Sequence, residues 1–177
     1  MNKLFVFAKL CAAFCLIFTV ADCGFLKKSD CELSEADGKN ILGINVIAVD
    51  QTDEFFSGSD TDKNSRGCGY VAKYKTERGN LYWTETRSGD LQQAKRFYNL
   101  ATEKMPDADD FSVEEIAGIG EAAKLSRFQN QNAKKMELTV RKGKTVFSLL
   151  ISKPAENEIP VEEVKSLAAR IAVKISD

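Results

Sequence analysis

Cysteine is the one side chain here whose number and spacing select a chemistry. The chain has five, Cys11, Cys15, Cys23, Cys31 and Cys68, and no histidine. Without His there is no Ser-His-Asp or Cys-His nucleophile and no His-based zinc or haem site. A redox thiol pair is commonly spaced Cys-x-x-Cys, and that spacing does not occur. Cys31 and Cys68 therefore read as a structural disulfide, with a redox or metal thiol pair as the rival. Such a bridge closes a loop of roughly 38 residues and restricts the unfolded chain by about 3–4 kcal/mol. Cys23 is the alternative partner for either sulfur if nothing else occupies it.

Other residue types that could do chemistry give weaker patterns. Acids stand in pairs at Asp109-Asp110, Glu114-Glu115 and Glu162-Glu163. Carboxylate catalysis needs two acids facing one substrate with separated pKa values. Adjacent acids on a helix point apart, and Glu114-Glu115 and Glu162-Glu163 read as helix-start residues that complement the dipole. Asp60, Asp62 and Asn64 open like a calcium loop, but Ser65 and Val71 stand where Gly and Glu are required. The stretch 50–67 is then a polar loop whose Phe55 and Phe56 either anchor it on the core or form an exposed apolar contact. Gly118-Ile119-Gly120 lacks the P-loop Lys and a βαβ context, so it reads as a turn that brings backbone close to a sheet. Tyr70, Tyr74, Tyr82 and Trp83 are aromatics close in sequence. They either fill a core or, around Tyr82 and Trp83, form a face for an apolar molecule, glycan or peptide. The candidate binding surface is Tyr82, Trp83, Phe55 and Phe56. No catalytic residue, metal ligand or cofactor is expected.

Composition sets the frame for these positions. With 44% apolar and 29% charged residues, the chain falls with ordinary folded proteins. Its 177 residues suit one domain with a real core. A net charge of -1 gives no reason to expect nucleic acid.

The first residues read as a targeting segment. Lys3 and Lys9 precede an uncharged apolar run, Leu10 to Ala21, and no acid appears before Asp22. That run is about twelve residues, short of the roughly 20 that span a bilayer. A buried N-terminal helix is the rival reading. Val20-Ala21-Asp22-Cys23 resembles a bacterial lipobox, with Asp22 where Gly, Ala or Ser is usual. Cleavage after Ala21 is the other exit. Beyond the leader three cysteines remain, and lipid on Cys23 leaves Cys31 and Cys68 as a pair. The expected organisation is a leader over 1–22, a short tether over 23–30 and a single domain over 31–177. The lipid would hold that domain at a membrane without spanning it.

Periodicity predicts the elements. Ser34 caps a helix to Leu42, answered by Asp37. Ile44 to Val49 reads as a strand. Cys68 to Lys75 and Asn80 to Arg87 form a hairpin, with Leu81, Trp83 and Glu85 alternating with Tyr82 and Thr84. Asp90 caps a helix over Leu91 to Glu103, with Leu91, Ala94, Phe97, Tyr98, Ala101 and Met105 on its stripe. Ser112 to Gly120 leads into Glu121 to Leu125, and Ser126 to Asn132 holds a short strand and turn. Lys135 to Arg141 and Thr145 to Ile151 make the clearest hairpin. Pro160 introduces a last helix, Val161 to Lys174, with Val164, Leu167, Ala168, Ile171 and Ile175 on its stripe. Hairpins imply antiparallel pairing. Three helices cannot cover both faces of such a sheet. The predicted fold is α+β, an antiparallel sheet built from hairpins with helices packed mainly on one face.

The order of these pieces resembles a family of bacterial secreted lipoproteins of unknown function, of the actinobacterial envelope type. The resemblance covers most of the chain after residue 22. It rests on Cys31-Glu32-Leu33 before a helix ending at Leu42-Gly43, on Cys68-Gly69-Tyr70 opening a strand, on Gly118 to Ala122, and on the Lys142-Gly143 hairpin before a terminal helix. Asp30 stands where a Pro is usual before the first of these cysteines. The resemblance implies a two-layer domain like those of photosystem-associated extrinsic proteins, with no catalytic residues to carry over.

The expected protein is exported to the cell envelope or periplasm and lipid-anchored to a membrane, with a non-catalytic binding or assembly role. Its expected partners are the membrane, through the lipid, and an envelope protein or small apolar ligand. The alternatives are a His-independent envelope hydrolase using Asp or Glu and a soluble secreted inhibitor or assembly factor. A groove at Tyr82 and Trp83 would favour binding. Two buried carboxylates opening into one cleft would favour hydrolysis.

Overall fold

The computed structural model describes residues 31–43, 48–52, 65–74, 77–101 and 110–175, all within the unit Cys31–Asp177. Seven strands form one sheet: β1 Ala48–Thr52, β2 Ser65–Lys73, β3 Arg78–Arg87, β4 Asp110–Glu115, β5 Ala122–Gln129, β6 Ala133–Lys142 and β7 Thr145–Pro154. Their order across the sheet is β1-β2-β3-β7-β6-β5-β4, and every neighbouring pair is antiparallel. Among the described residues three helices accompany them: α1 Glu35–Leu42, α2 Leu91–Ala101 and α3 Val161–Lys174. The predicted α+β class with hairpin-built antiparallel pairing is what the chain forms.

Strand alternation decides which residues become core. Register places Cys68, Trp83, Leu149, Leu138 and Leu125 in one row across five strands. Tyr70, Leu81, Ile151 and Met136 make the next row on the same face. Against this face lie Ile41 and Leu42 of α1 and Val164, Leu167, Ala168, Ile171 and Ala172 of α3, all buried in one cluster. Each large apolar side chain so enclosed contributes about 1.5–3 kcal/mol. α2 uses the opposite face, where Ala94 and Tyr98 meet Val146 and Ala122 in a small second cluster. Two of the three helices therefore share the main core.

Local signals set the helix ends. The Ser34 hydroxyl accepts from the Asp37 N–H at 3.2 Å, and the Asp37 carboxylate accepts from the Ser34 N–H at 2.8 Å. This is the reciprocal capping box that the sequence predicts. Gly43 ends α1 at φ +96°. Asp90 caps α2 by accepting from the Gln93 N–H at 2.8 Å.

Several expectations are corrected. Glu114-Glu115 do not open a helix, because β4 and β5 form a hairpin over 110–129. Helix propensity there yields to cross-strand pairing, which buries Ala123 and Leu125 under α3. The polar stretch 50–67 is partly strand, since β1 reaches Thr52 and β2 begins at Ser65. On α2 the sheet buries Ala94 and Tyr98 but leaves Leu91 and Phe97 exposed. Residues 44–47, 102–103 and Met105 lie outside the described residues.

Candidate functional site

Cys31 and Cys68 are bonded, with their Cα atoms 5.6 Å apart. The bridge joins the segment before α1 to β2, in line with the structural reading of the two thiols. Cys23, Phe55 and Phe56, along with Asp60, Asp62 and Asn64, lie outside the described residues.

Tyr82 and Trp83 are consecutive on β3 and point to opposite faces, so they do not form one surface. Trp83 is 1% exposed within the main core. The Arg66 guanidinium carbon lies 5.1 Å from its ring centroid, a cation–π contact. Beside it Glu85, 2% exposed, is held by Arg66 at 3.1 Å and by Arg87 at 3.3 Å. Glu32 extends the cluster, bonding Lys174 at 2.8 Å. The Glu85 carboxylate is thus held between two guanidiniums.

The tyrosines of the same hairpin are each set against a glycine. A Cβ on Gly38 would stand 2.8 Å from the Tyr70 ring, and one on Gly79 would stand 2.7 Å from the Tyr74 ring. A Cβ on Gly69 would overlap the Tyr82 ring and stand 2.6 Å from the Leu81 carbonyl. The Tyr74 hydroxyl donates to the Leu42 carbonyl at 2.6 Å, and burial pushes its pKa up to about 12. These aromatics are packing groups, and glycine is what admits them.

Sequence reasoning did not single out Glu137. It lies on the α2 face of β6, opposite Ser126 and Leu150. Burial pushes its pKa up, and hydrogen bonds from Ser148 and Thr139 oppose that rise. The Thr139 hydroxyl donates to Glu137 at 3.3 Å and lies 3.0 Å from the Ser148 hydroxyl. A raised carboxyl amid hydroxyls could hold or move a proton. Strand alternation across β5, β6 and β7 was the signal that could have found it.

Two clefts lie on the other face, between β4 and α3. One of about 350 Å³ is lined by Asp110, Ser112, Arg127, Lys134, Glu158 and Val161 among others. The second, about 470 Å³, carries Glu114, Ile116, Ile119, Glu162 and Lys165. Arg127 pairs with Glu114 at 3.1 Å, Lys165 with Glu162 at 3.2 Å, and Lys134 with Glu158. The turn from β4 to β5 needs its glycines. Gly118 and Gly120 have φ of +82° and +61°, and a Cβ on Gly120 would stand 2.7 Å from the Arg141 carbonyl. That close approach to β6 is the turn predicted for this segment.

Two lysines fix the ends of α3. Lys142 donates to the carbonyls of Ala172 at 3.0 Å and Ile175 at 2.7 Å. Lys153, 4% exposed, donates to the Glu158 carbonyl at 2.7 Å just before the helix, and burial lowers its pKa.

Among the described residues no helix is long and apolar enough to cross a membrane. Among the same residues no three His, Cys, Asp or Glu side chains gather as a metal site. Comparison of the chain with protein-family models, with curated proteins and with solved structures finds no match.

Proposed function

We propose that the chain is an exported cell-envelope protein, held at a membrane by lipid on Cys23, whose folded part has a non-catalytic binding or assembly role. The observation that carries this reading is the Cys31–Cys68 bridge. Disulfides persist chiefly in oxidising compartments outside the cytosol. The bridge occupies two of the three cysteines after residue 22 and leaves Cys23, preceded by Val20-Ala21-Asp22, for the lipid. Residues 23–30 reach at most roughly 29 Å when extended, which would keep the domain beside its membrane. The resemblance to envelope lipoproteins agrees with this placement.

The rival hydrolase reading is not favoured by the setting of Glu137. Its cross-strand neighbours on that face are Ser126 and Leu150, and its hydrogen-bond partners are hydroxyls. A paired-carboxylate hydrolase would set a second acid across from it.

Labelled palmitate fed to a bacterium expressing the full chain tests the anchor. The wild type should take up label and Cys23→Ser should not. An unlabelled wild type would refute the anchor, and equal labelling of both would refute Cys23 as the acceptor. Crosslinking in the native envelope tests the role, with a specific adduct expected.

A further inference from the structure

We infer that the free edge of β4 docks an extended segment of a partner protein in which basic and apolar residues alternate. Among the described residues β4 is a terminal strand of the sheet, paired only with β5. The Ile116 N–H donates to the Ala123 carbonyl at 2.9 Å. Bonded and non-bonded pairs alternate along an antiparallel ladder. Asp110, Ser112 and Glu114 therefore bond inward to β5. Phe111, Val113 and Glu115 turn their N–H and C=O groups to the free side, which is the geometry that accepts an added strand.

The side chains specify what that strand carries. Asp110, Ser112 and Glu114 share the α3 face and open onto the two clefts, whose far walls hold Glu158 and Glu162. Glu114, Glu158 and Glu162 are each ion-paired there with Arg127, Lys134 and Lys165, so Asp110 is the acid that this face leaves without an ion pair among the described residues. The strand itself has three acids, Asp110, Glu114 and Glu115, and no base. Asp110 and Glu115 make no ion pair among the described residues. On the other face Phe111 packs on Phe128 at 4.9 Å between centroids, and Val113 is 41% exposed. Residues of an added strand lie opposite these on the same faces. Lys or Arg suits the α3 face and an apolar residue suits the Phe111 face. A second copy would instead bring Asp110 and Glu115 of each chain, which make no ion pair among the described residues, to one seam.

The inference deepens the binding reading and rests on it, but not on the lipid. The test titrates the full chain with a fluorescein-labelled peptide, Lys-Val-Lys-Val-Lys-Val-Lys, and follows anisotropy. The same peptide with Glu in place of Lys is the control. The basic peptide should saturate and the acidic one should not. Val113→Pro removes an outward N–H without breaking a ladder bond and should weaken binding by about tenfold or more. Amide exchange should slow at Phe111, Val113 and Glu115 in the complex, and stay as it was at Ser112 and Glu114. If Val113→Pro proves unfolded, Asp110→Lys with Val113→Lys, one change on each face, should give the same loss. The inference is overturned by absent saturation, by equal binding of the acidic peptide, or by a folded edge variant that binds as the wild type does. It is equally overturned by a dimer in sedimentation that Val113→Pro dissolves, which would make the occupant a second copy. A failed titration alongside a specific envelope adduct would remove the edge and leave the binding role standing.

Discussion

Arg170 donates to Oδ1 of Asp37 at 2.6 Å, while Oδ2 of the same carboxylate accepts from the Ser34 N–H at 2.8 Å and its hydroxyl at 2.7 Å. One side chain thus completes the cap of α1 and ties that helix to α3, 133 positions away. Burial works to raise the Asp37 pKa, but the bonds from Arg170 and Ser34 outweigh it and hold it below 3.8.

Asp37→Asn keeps a capping oxygen and removes the charge facing Arg170. It should cost about 1–2 kcal/mol in urea unfolding at neutral pH. A carboxylate with a lowered folded pKa stabilises above its unfolded value and loses that contribution as pH falls through the folded one. The gap between wild type and variant should therefore be full above 3.8 and close as the pH drops further. A gap that persists in acid would mean the charge is not its source.

Replacing Cys31 and Cys68 together by Ala should lower stability by about 3–4 kcal/mol, the chain-entropy value for this loop. Reductant should bring the wild type to the level of the variant and leave the variant unchanged. Parallel denaturant curves with and without reductant measure both.

Gly69→Ala should cost about 1–3 kcal/mol, because the new methyl meets the Tyr82 ring and the Leu81 carbonyl at 2.6 Å. Tyr82→Leu in the same chain should recover part of that loss, since only the ring can move away. A double-mutant cycle in urea would show the coupling, and strict additivity would exclude it.

Much of this architecture is legible in the sequence because single elements carry complete local signals. Val161–Lys174 has an apolar stripe and a proline at its start, and it forms over those bounds. Ser34 and Asp37 announce their cap at the required spacing. The β4–β5 hairpin is not legible, because Glu, Ala and Lys there favour helix locally. Only its neighbours, with Ala123 across from Val140 and Leu125 across from Leu138, make it sheet. The aromatic candidates fail as a site for a reason the sequence already holds. Alternation in β3 sends Tyr82 and Trp83 to opposite faces. Glu137 escapes notice because its partial burial depends on β5 and β7 pairing on either side of it.

Glu137→Gln should stabilise the protein at neutral pH, by about 0.5–1.5 kcal/mol, since Gln keeps hydrogen-bonding capacity without a desolvated charge. Its folded pKa is raised above 4.5, so the native state holds a proton that the unfolded chain has released. Stability of the wild type then falls as pH rises through that window. The advantage of Gln should be present at neutral pH and vanish below 4.5. Thermal unfolding of both chains across that range measures it, and a constant difference would contradict the assignment.

Lys142 and Lys153 hold opposite ends of α3 and should respond in opposite ways to replacement by Met. Lys142 serves two carbonyls at the end of a helix, where a cation also meets the negative end of the dipole. Lys142→Met should cost about 1–2 kcal/mol. Lys153 is deeper and serves one carbonyl, that of Glu158. Burial disfavours its charge, so Lys153→Met should be neutral or stabilising by about 1 kcal/mol at neutral pH. A lysine with a lowered folded pKa gives up its proton sooner in the native state than in the unfolded one. The wild type therefore gains stability as pH rises through the folded value toward 10.5, and the advantage of Met should shrink over that span. A large loss in Lys153→Met that grows with pH would show that the ammonium holds α3 by more than this one bond.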